Sequence, residues 1–131
     1  MNLKQHEQFF EMYEVIDKKA ERLFDDLEQL YRDYAKESSY YRERYEYDGF
    51  SIDCGYIELR GSYSYQSDWG HMSYDIPSED FFESGRAIQK EARKIQEMKD
   101  SAARRAKERN ELQMQKEYQE YLNLKQKFEE N

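Results

Sequence analysis

One cysteine, one proline, two histidines and five glycines in 131 residues leave little for a disulfide framework, a metal centre or a phosphate-cradling loop. Cys54 has no internal partner, so a disulfide is excluded and a reducing, cytoplasmic compartment is expected. His6 and His71 fall in different segments, and neither has a Cys or His at metal-ligand spacing, so no metal is expected. Neither a Gly-x-Ser-x-Gly elbow nor a glycine-rich nucleotide loop occurs, and no cofactor is expected. No run approaches the ~18 apolar residues of a membrane span. The opening Met1-Asn2-Leu3-Lys4-Gln5-His6-Glu7 lacks the apolar stretch of a secretory leader. A basic surplus is also missing: 29 acidic residues against 21 basic give a net charge of −8, which disfavours direct nucleic-acid binding. The nucleophile pair on offer, Cys54 with His71, requires a sheet to bring the two together, and a buried strand cysteine is the simpler account. The expectation is a protein that is not an enzyme.

Charge and aromatics dominate what is there. Charged residues make up 38% and the mean hydropathy is −1.29, values that lean toward disorder, but 13 tyrosines and 7 phenylalanines supply the aromatic area a disordered chain lacks. Phe9, Tyr13, Ile16, Ala20, Leu23, Leu27, Leu30 and Tyr34 recur at alternating spacings of four and three, an unbroken heptad seam that predicts a helix over 3–37. Phe10, Phe24 and Tyr31 widen the seam into a stripe. Residues 38–77 hold four of the glycines and the proline. There Ile57, Leu59, Tyr63 and Tyr65 alternate with polar residues, as do Met72, Tyr74 and Ile76, on either side of Ser67-Asp68-Trp69-Gly70. That period of two predicts an antiparallel hairpin. Phe50, Ile52 and Cys54 suggest a further strand, with a bulge or turn at Gly55.

Pro77-Ser78 opens a second long helix over 78–130, with Glu79, Asp80 and Glu83 suited to its first turn. Phe81, Ile88, Ala92, Ile95, Ala102 and Ala106 give it a partial seam. The apolar face thins to alanines and returns at Met114, Tyr118, Tyr121 and Phe128, so a break near Asn110 is one alternative and a projecting tail that finds a partner is the other. The expected fold is a single α+β, mostly helical domain over 1–131. It consists of a long helix, a small antiparallel sheet of two or three strands, and a second long helix paired with the first as an antiparallel coiled-coil hairpin.

Three surfaces are candidates for binding. Glu7, Glu11, Glu14, Glu21, Asp25 and Glu28 fall opposite the seam, interrupted by Lys18 and Arg32. Carboxylates one helical turn apart stand ~5–6 Å from each other, close to the ~7 Å between successive phosphates, so the ridge resembles a phosphate backbone in spacing. The plainer account is the solvated face of an amphipathic helix. Residues 86–109 carry nine bases to four acids, which suits either an acidic partner or pairing with the acidic first helix. The stretch Tyr40-Tyr41-Arg42-Glu43-Arg44-Tyr45-Glu46-Tyr47 has the Tyr-rich composition of binding surfaces. Tyr40, Tyr41, Tyr45, Tyr47 and Trp69 are expected exposed, and Tyr63, Tyr65 and Tyr74 in the core.

The run from Trp69 to Phe82, a strand ending in Ile-Pro and passing into an aromatic helix, resembles a pattern of small phage accessory proteins. Such acidic proteins include inhibitors of host defence, of the anti-CRISPR and anti-restriction kinds. The resemblance implies a non-catalytic inhibitor that blocks a host nucleic-acid enzyme by stoichiometric binding in the host cytoplasm. The alternative from the residues is a structural or assembly protein built on a coiled-coil dimer, a homodimer formed through the C-terminal helix.

Overall fold

The computed structural model describes residues 2–38, 41–83 and 85–130. It is an α+β structure, mostly helical, in which two long helices flank a three-stranded antiparallel sheet. The elements run α1 (Leu3–Glu37), β1 (Glu46–Asp53), β2 (Tyr56–Tyr65), β3 (Asp68–Pro77), α2 (Ser78–Phe82) and α3 (Arg86–Glu130). They form two compact units, 1–93 and 94–131. Among the described residues no helix is long and apolar enough to cross a membrane.

In the first unit α1 begins on a capping box. Asn2 Oδ1 accepts from the Gln5 amide at 2.9 Å, and the Gln5 side chain accepts from the Asn2 amide at 3.0 Å. Two orphan donors of the first turn are thereby satisfied. The strands lie in the order β1-β2-β3. The predicted hairpin is β2–β3, closed at Tyr65 and Asp68 by Gln66-Ser67, so Asp68 and Trp69 belong to β3 rather than to the turn. The further strand is β1, which ends at Asp53; Cys54 and Gly55 form the turn into β2, as expected at Gly55, and a separate irregularity lies between Tyr47 and Gly49.

The core is helix on sheet. Ala20, Phe24 and Leu27 of α1 bury against Phe50, Ile57, Leu59 and Ile76, with Phe81 of α2 and Ala87 of α3 closing one end. Phe24, which the heptad spacing leaves at the edge of the seam, is the central side chain. It crosses the buried Gly61 so closely that a Cβ there would enter its ring, and its ring meets those of Tyr47 and Tyr74 at centroid distances of 5.8 and 5.7 Å. A sheet is flatter than a partner helix, so it takes the broad stripe, with Phe24 and Tyr31 beside the seam residues Ala20 and Leu27, rather than the narrow seam alone. The seam's first members, Phe9 and Tyr13, are exposed.

The helix predicted over 78–130 is divided. α2 ends at Phe82 and α3 starts at Arg86, with Gly85 at φ +79° between them, a backbone conformation that glycine adopts without strain. α3 then continues as helix through Asn110.

Candidate partner-binding surface

Five of the six predicted ridge acids are exposed: Glu7, Glu11, Glu14, Glu21 and Asp25. Among the described residues no basic side chain forms an ion pair with any of them. Glu28 is a correction. It is 1% exposed, and its Oε1 accepts from Arg42 Nη2 at 2.7 Å and from the Tyr74 hydroxyl at 2.6 Å. Glu28 lies four residues after Phe24 and three before Tyr31, so the widening of the stripe that those two aromatics mark already takes it in. That was the signal available for moving it off the solvated face.

Glu28 anchors a polar cluster that sequence reasoning missed. The Arg42 guanidinium sits 5.0 Å from the Tyr31 ring centroid and 5.5 Å from that of Tyr45, an aromatic cradle for a cation. The Tyr31 ring stacks near Tyr74, and its hydroxyl donates to Glu91 of α3 at 2.5 Å. Burial, then the hydrogen bond to a carboxylate, pushes the hydroxyls of Tyr31 and Tyr74 well above the ordinary tyrosine range. The arrangement is a clamp: it straps the segment entering β1 onto α1, with the Glu28 carboxylate buried and the Arg42 side chain mostly covered.

The tyrosine segment divides accordingly. Tyr40 lies outside the described residues. Tyr41 is 78% exposed, and the Glu43 carboxylate beside it raises its hydroxyl. Tyr45 is half-buried, packed on the core and edge-on to Tyr63 at 5.2 Å. Tyr47, expected exposed, is half-buried under Phe24 and donates to Asp17 at 2.7 Å; burial and that carboxylate raise its hydroxyl as well. Bulky strand residues on the helix side of a sheet are drawn under the helix. Trp69 is 67% exposed but sits on the other side of β3, edge-on to His71. It pairs with Ser64, whereas Tyr63 and Tyr65 take the alternate positions of β2, so Trp69 lies on the opposite face of the sheet from Tyr63 and Tyr65. Of the tyrosines expected in the core, Tyr74 is half-buried and packed against it, Tyr63 is half-buried and Tyr65 is exposed.

The other candidates also resolve. Arg86 and Lys90 of the basic stretch reach the buried Asp80 of α2, at 3.3 and 2.5 Å, rather than the acids of α1. Asp80 therefore pins the α2–α3 corner. A cleft of about 690 Å³ next to it is lined by Lys18, Lys19, Arg22 and Asp26 of α1, and Lys19 Nζ donates across it to the Phe82 carbonyl at 3.4 Å. Cys54 is exposed in the β1–β2 turn, not buried in a strand. The register sets Tyr56 against Pro77 and Ser62 against His71. At ~3.3 Å per residue, Cys54 and His71 are about 20 Å apart along the hairpin, and they form no nucleophile pair.

One further exposed surface emerges beside the acids. Leu3, Phe9, Phe10, Met12, Tyr13 and Val15 are all at least 46% exposed, and Phe9 and Phe10 meet edge to face at 5.9 Å. Tyr13 still touches Phe50, with ring centroids 5.0 Å apart, and full burial in α1 begins only at Ala20. The first third of α1 thus carries apolar side chains that the sheet does not cover, next to Glu7, Glu11 and Glu14. No protein-family model, curated protein or solved structure matches this chain.

Proposed function

We propose that this is a non-catalytic binding protein that inhibits a nucleic-acid enzyme by occupying its basic groove stoichiometrically, in the manner of phage anti-defence proteins acting in the host cytoplasm. The observation that carries the proposal is the first third of α1, where unpaired Glu7, Glu11 and Glu14 stand beside exposed Phe9, Phe10, Met12, Tyr13 and Val15. A solvated helix face needs no apolar side chains, and a purely structural apolar stripe needs no row of free carboxylates. Together they suit a helix laid into a groove: carboxylates steer and register against basic side chains, and aromatics anchor in apolar pockets. Glu21 and Asp25 extend the acidic row along α1, and Tyr41 is a secondary anchor. Free, exposed Cys54 suits a reducing compartment.

A finer part of the proposal is that α1 and the start of α3 pair as an antiparallel coiled-coil hairpin. Within the first unit it is supported by the Tyr31–Glu91 hydrogen bond and by Ala87 and Ile88 packed at the core.

The test is capture of a partner from host lysate on the immobilised protein, followed by kinetics on the purified pair. Changing Glu7, Glu11 and Glu14 together to Lys should slow association, and the wild-type on-rate should fall steeply with salt, since such steering is screened over ~10 Å at 0.1 M. The captured enzyme's own DNA or RNA should compete. If nucleic acid and this protein bind the partner at the same time, the groove-occupying mechanism is wrong.

A further inference from the structure

From Ala102 to Glu130 every residue of α3 is exposed, including Met114, Tyr118, Tyr121 and Phe128. At 100° per residue these four fall within about 60° of one line along the helix. Continued toward the N-terminus, the same line passes through Asn110, Ala106 and Ala103. The face is therefore graded, with large side chains in its C-terminal half and small ones in its N-terminal half. Charge is graded too. Residues 94–109 hold six bases and three acids, and residues 111–130 hold five acids and three bases.

We propose that this face pairs with the same face of a second copy of the chain, antiparallel. Ala103 and Ala106 are three residues apart, as are Tyr118 and Tyr121. The register that sets Ala103 of one copy against Tyr121 of the other therefore also sets Ala106 against Tyr118 and Asn110 against Met114, with the two-fold axis level with residue 112. Every such layer joins a small or polar residue to a large one, so the helix axes keep a uniform separation within the 8–10 Å at which helices pack. A parallel pair would set alanine on alanine in one half and tyrosine on tyrosine in the other, and one straight pair of helices cannot satisfy both spacings. The antiparallel register also lays the basic half on the acidic half. Its one like-charged step, Lys99 level with Lys125, has Asp100 on the same flank as Lys125. Opposed helix dipoles favour the same orientation. Glu7, Glu11 and Glu14 take no part in this face, so it stands apart from the groove-binding proposal.

The test uses the full chain with Cys54→Ser, which removes the native thiol. Light scattering on the eluting protein should give a dimer mass, and Tyr118→Ala with Tyr121→Ala should halve it while thermal unfolding of the sheet unit is unchanged. Ala103→Cys and Tyr121→Cys proteins should each remain uncross-linked alone under mild oxidation and form a disulfide when mixed. A monomer at the highest soluble concentration would overturn the proposal. So would a dimer that survives the double alanine variant, or Ala103→Cys chains that cross-link to one another, the signature of a parallel pair.

Discussion

Arg42 donates to Glu28 at 2.7 Å across fourteen residues of sequence, and the carboxylate it meets is 1% exposed. The second oxygen of Glu28 has no hydrogen-bond partner among the described groups, so Arg42 and the Tyr74 hydroxyl carry the whole of its compensation. Removing one partner of a buried pair strands the other's charge, whereas replacing both with apolar side chains removes the desolvation cost as well.

The first prediction follows. Arg42→Met should destabilise the first unit by about 3–5 kcal/mol, and adding Glu28→Leu should restore most of that loss. Urea denaturation of the two variants measures it. Similar losses in the single and double variants would show that the charge pair itself, not the stranded carboxylate, sets the cost.

Much of the fold was readable because it rests on short-range periodicity. The spacing of Ile57, Leu59, Met72 and Ile76 fixes a hairpin face, and the heptad run fixes α1. What could not be read depends on which elements meet. The heptad rule ranks Leu23 above Phe24, and only the presence of a sheet with glycine at position 61 makes Phe24 the centre of the core. The split at Gly85 was missed because a lone glycine in a helical pattern costs only ~1 kcal/mol and can be tolerated there. Its φ of +79° is a tertiary outcome, with Asp80 held by Arg86 and Lys90 across the corner. The acidic row was legible except at Glu28, where the stripe widened by Phe24 and Tyr31 prevails over the ridge spacing, and its partner Arg42 comes from an irregular segment that alternation and periodicity do not reach. Of the uncovered apolar side chains in the first third of α1, Phe9 and Tyr13 follow the seam spacing and Phe10 its widening, but their exposure depends on how far the sheet reaches.

The second prediction concerns alkaline pH. Tyr31, Tyr47 and Tyr74 each donate to a carboxylate, Glu91, Asp17 and Glu28 respectively, and burial first, then that bond, raises their hydroxyls above the ordinary value near 10. The folded state holds these protons more tightly than the unfolded chain. Their stabilising contribution is thus fully present below pH ~10 and is lost as pH rises above it toward the folded-state values. Ultraviolet titration should show three tyrosines ionising late, only as the protein unfolds. Tyr47→Phe with Tyr74→Phe should make the fall in stability above pH ~10 shallower, on top of a loss at all pH from removing one partner of buried Glu28. Thirteen tyrosines titrating together near pH 10 in the folded protein would contradict the buried hydrogen bonds.

The third prediction separates the two ends of the heptad seam. Leu27 is fully buried beneath α1, in contact with the sheet core, and Leu23 is half-buried beside it; Phe9 belongs to the same spacing yet is 56% exposed. Leu27→Ala removes buried methylenes and leaves a cavity, so it should cost about 2–5 kcal/mol, and Leu23→Ala less, in proportion to its partial burial. Phe9→Ala should change stability by no more than ~0.5 kcal/mol, as a surface site does. Thermal unfolding of the three variants gives the ranking. The same Phe9→Ala protein then reads the proposed binding role: if Phe9 anchors α1 in a partner's groove, its loss should speed dissociation of the captured partner while leaving the fold intact, because anchors buried at an interface act mainly on the off-rate. A large stability loss at Phe9 would mean that the first third of α1 is covered by the protein's own structure, and would remove the surface on which the groove-binding proposal stands.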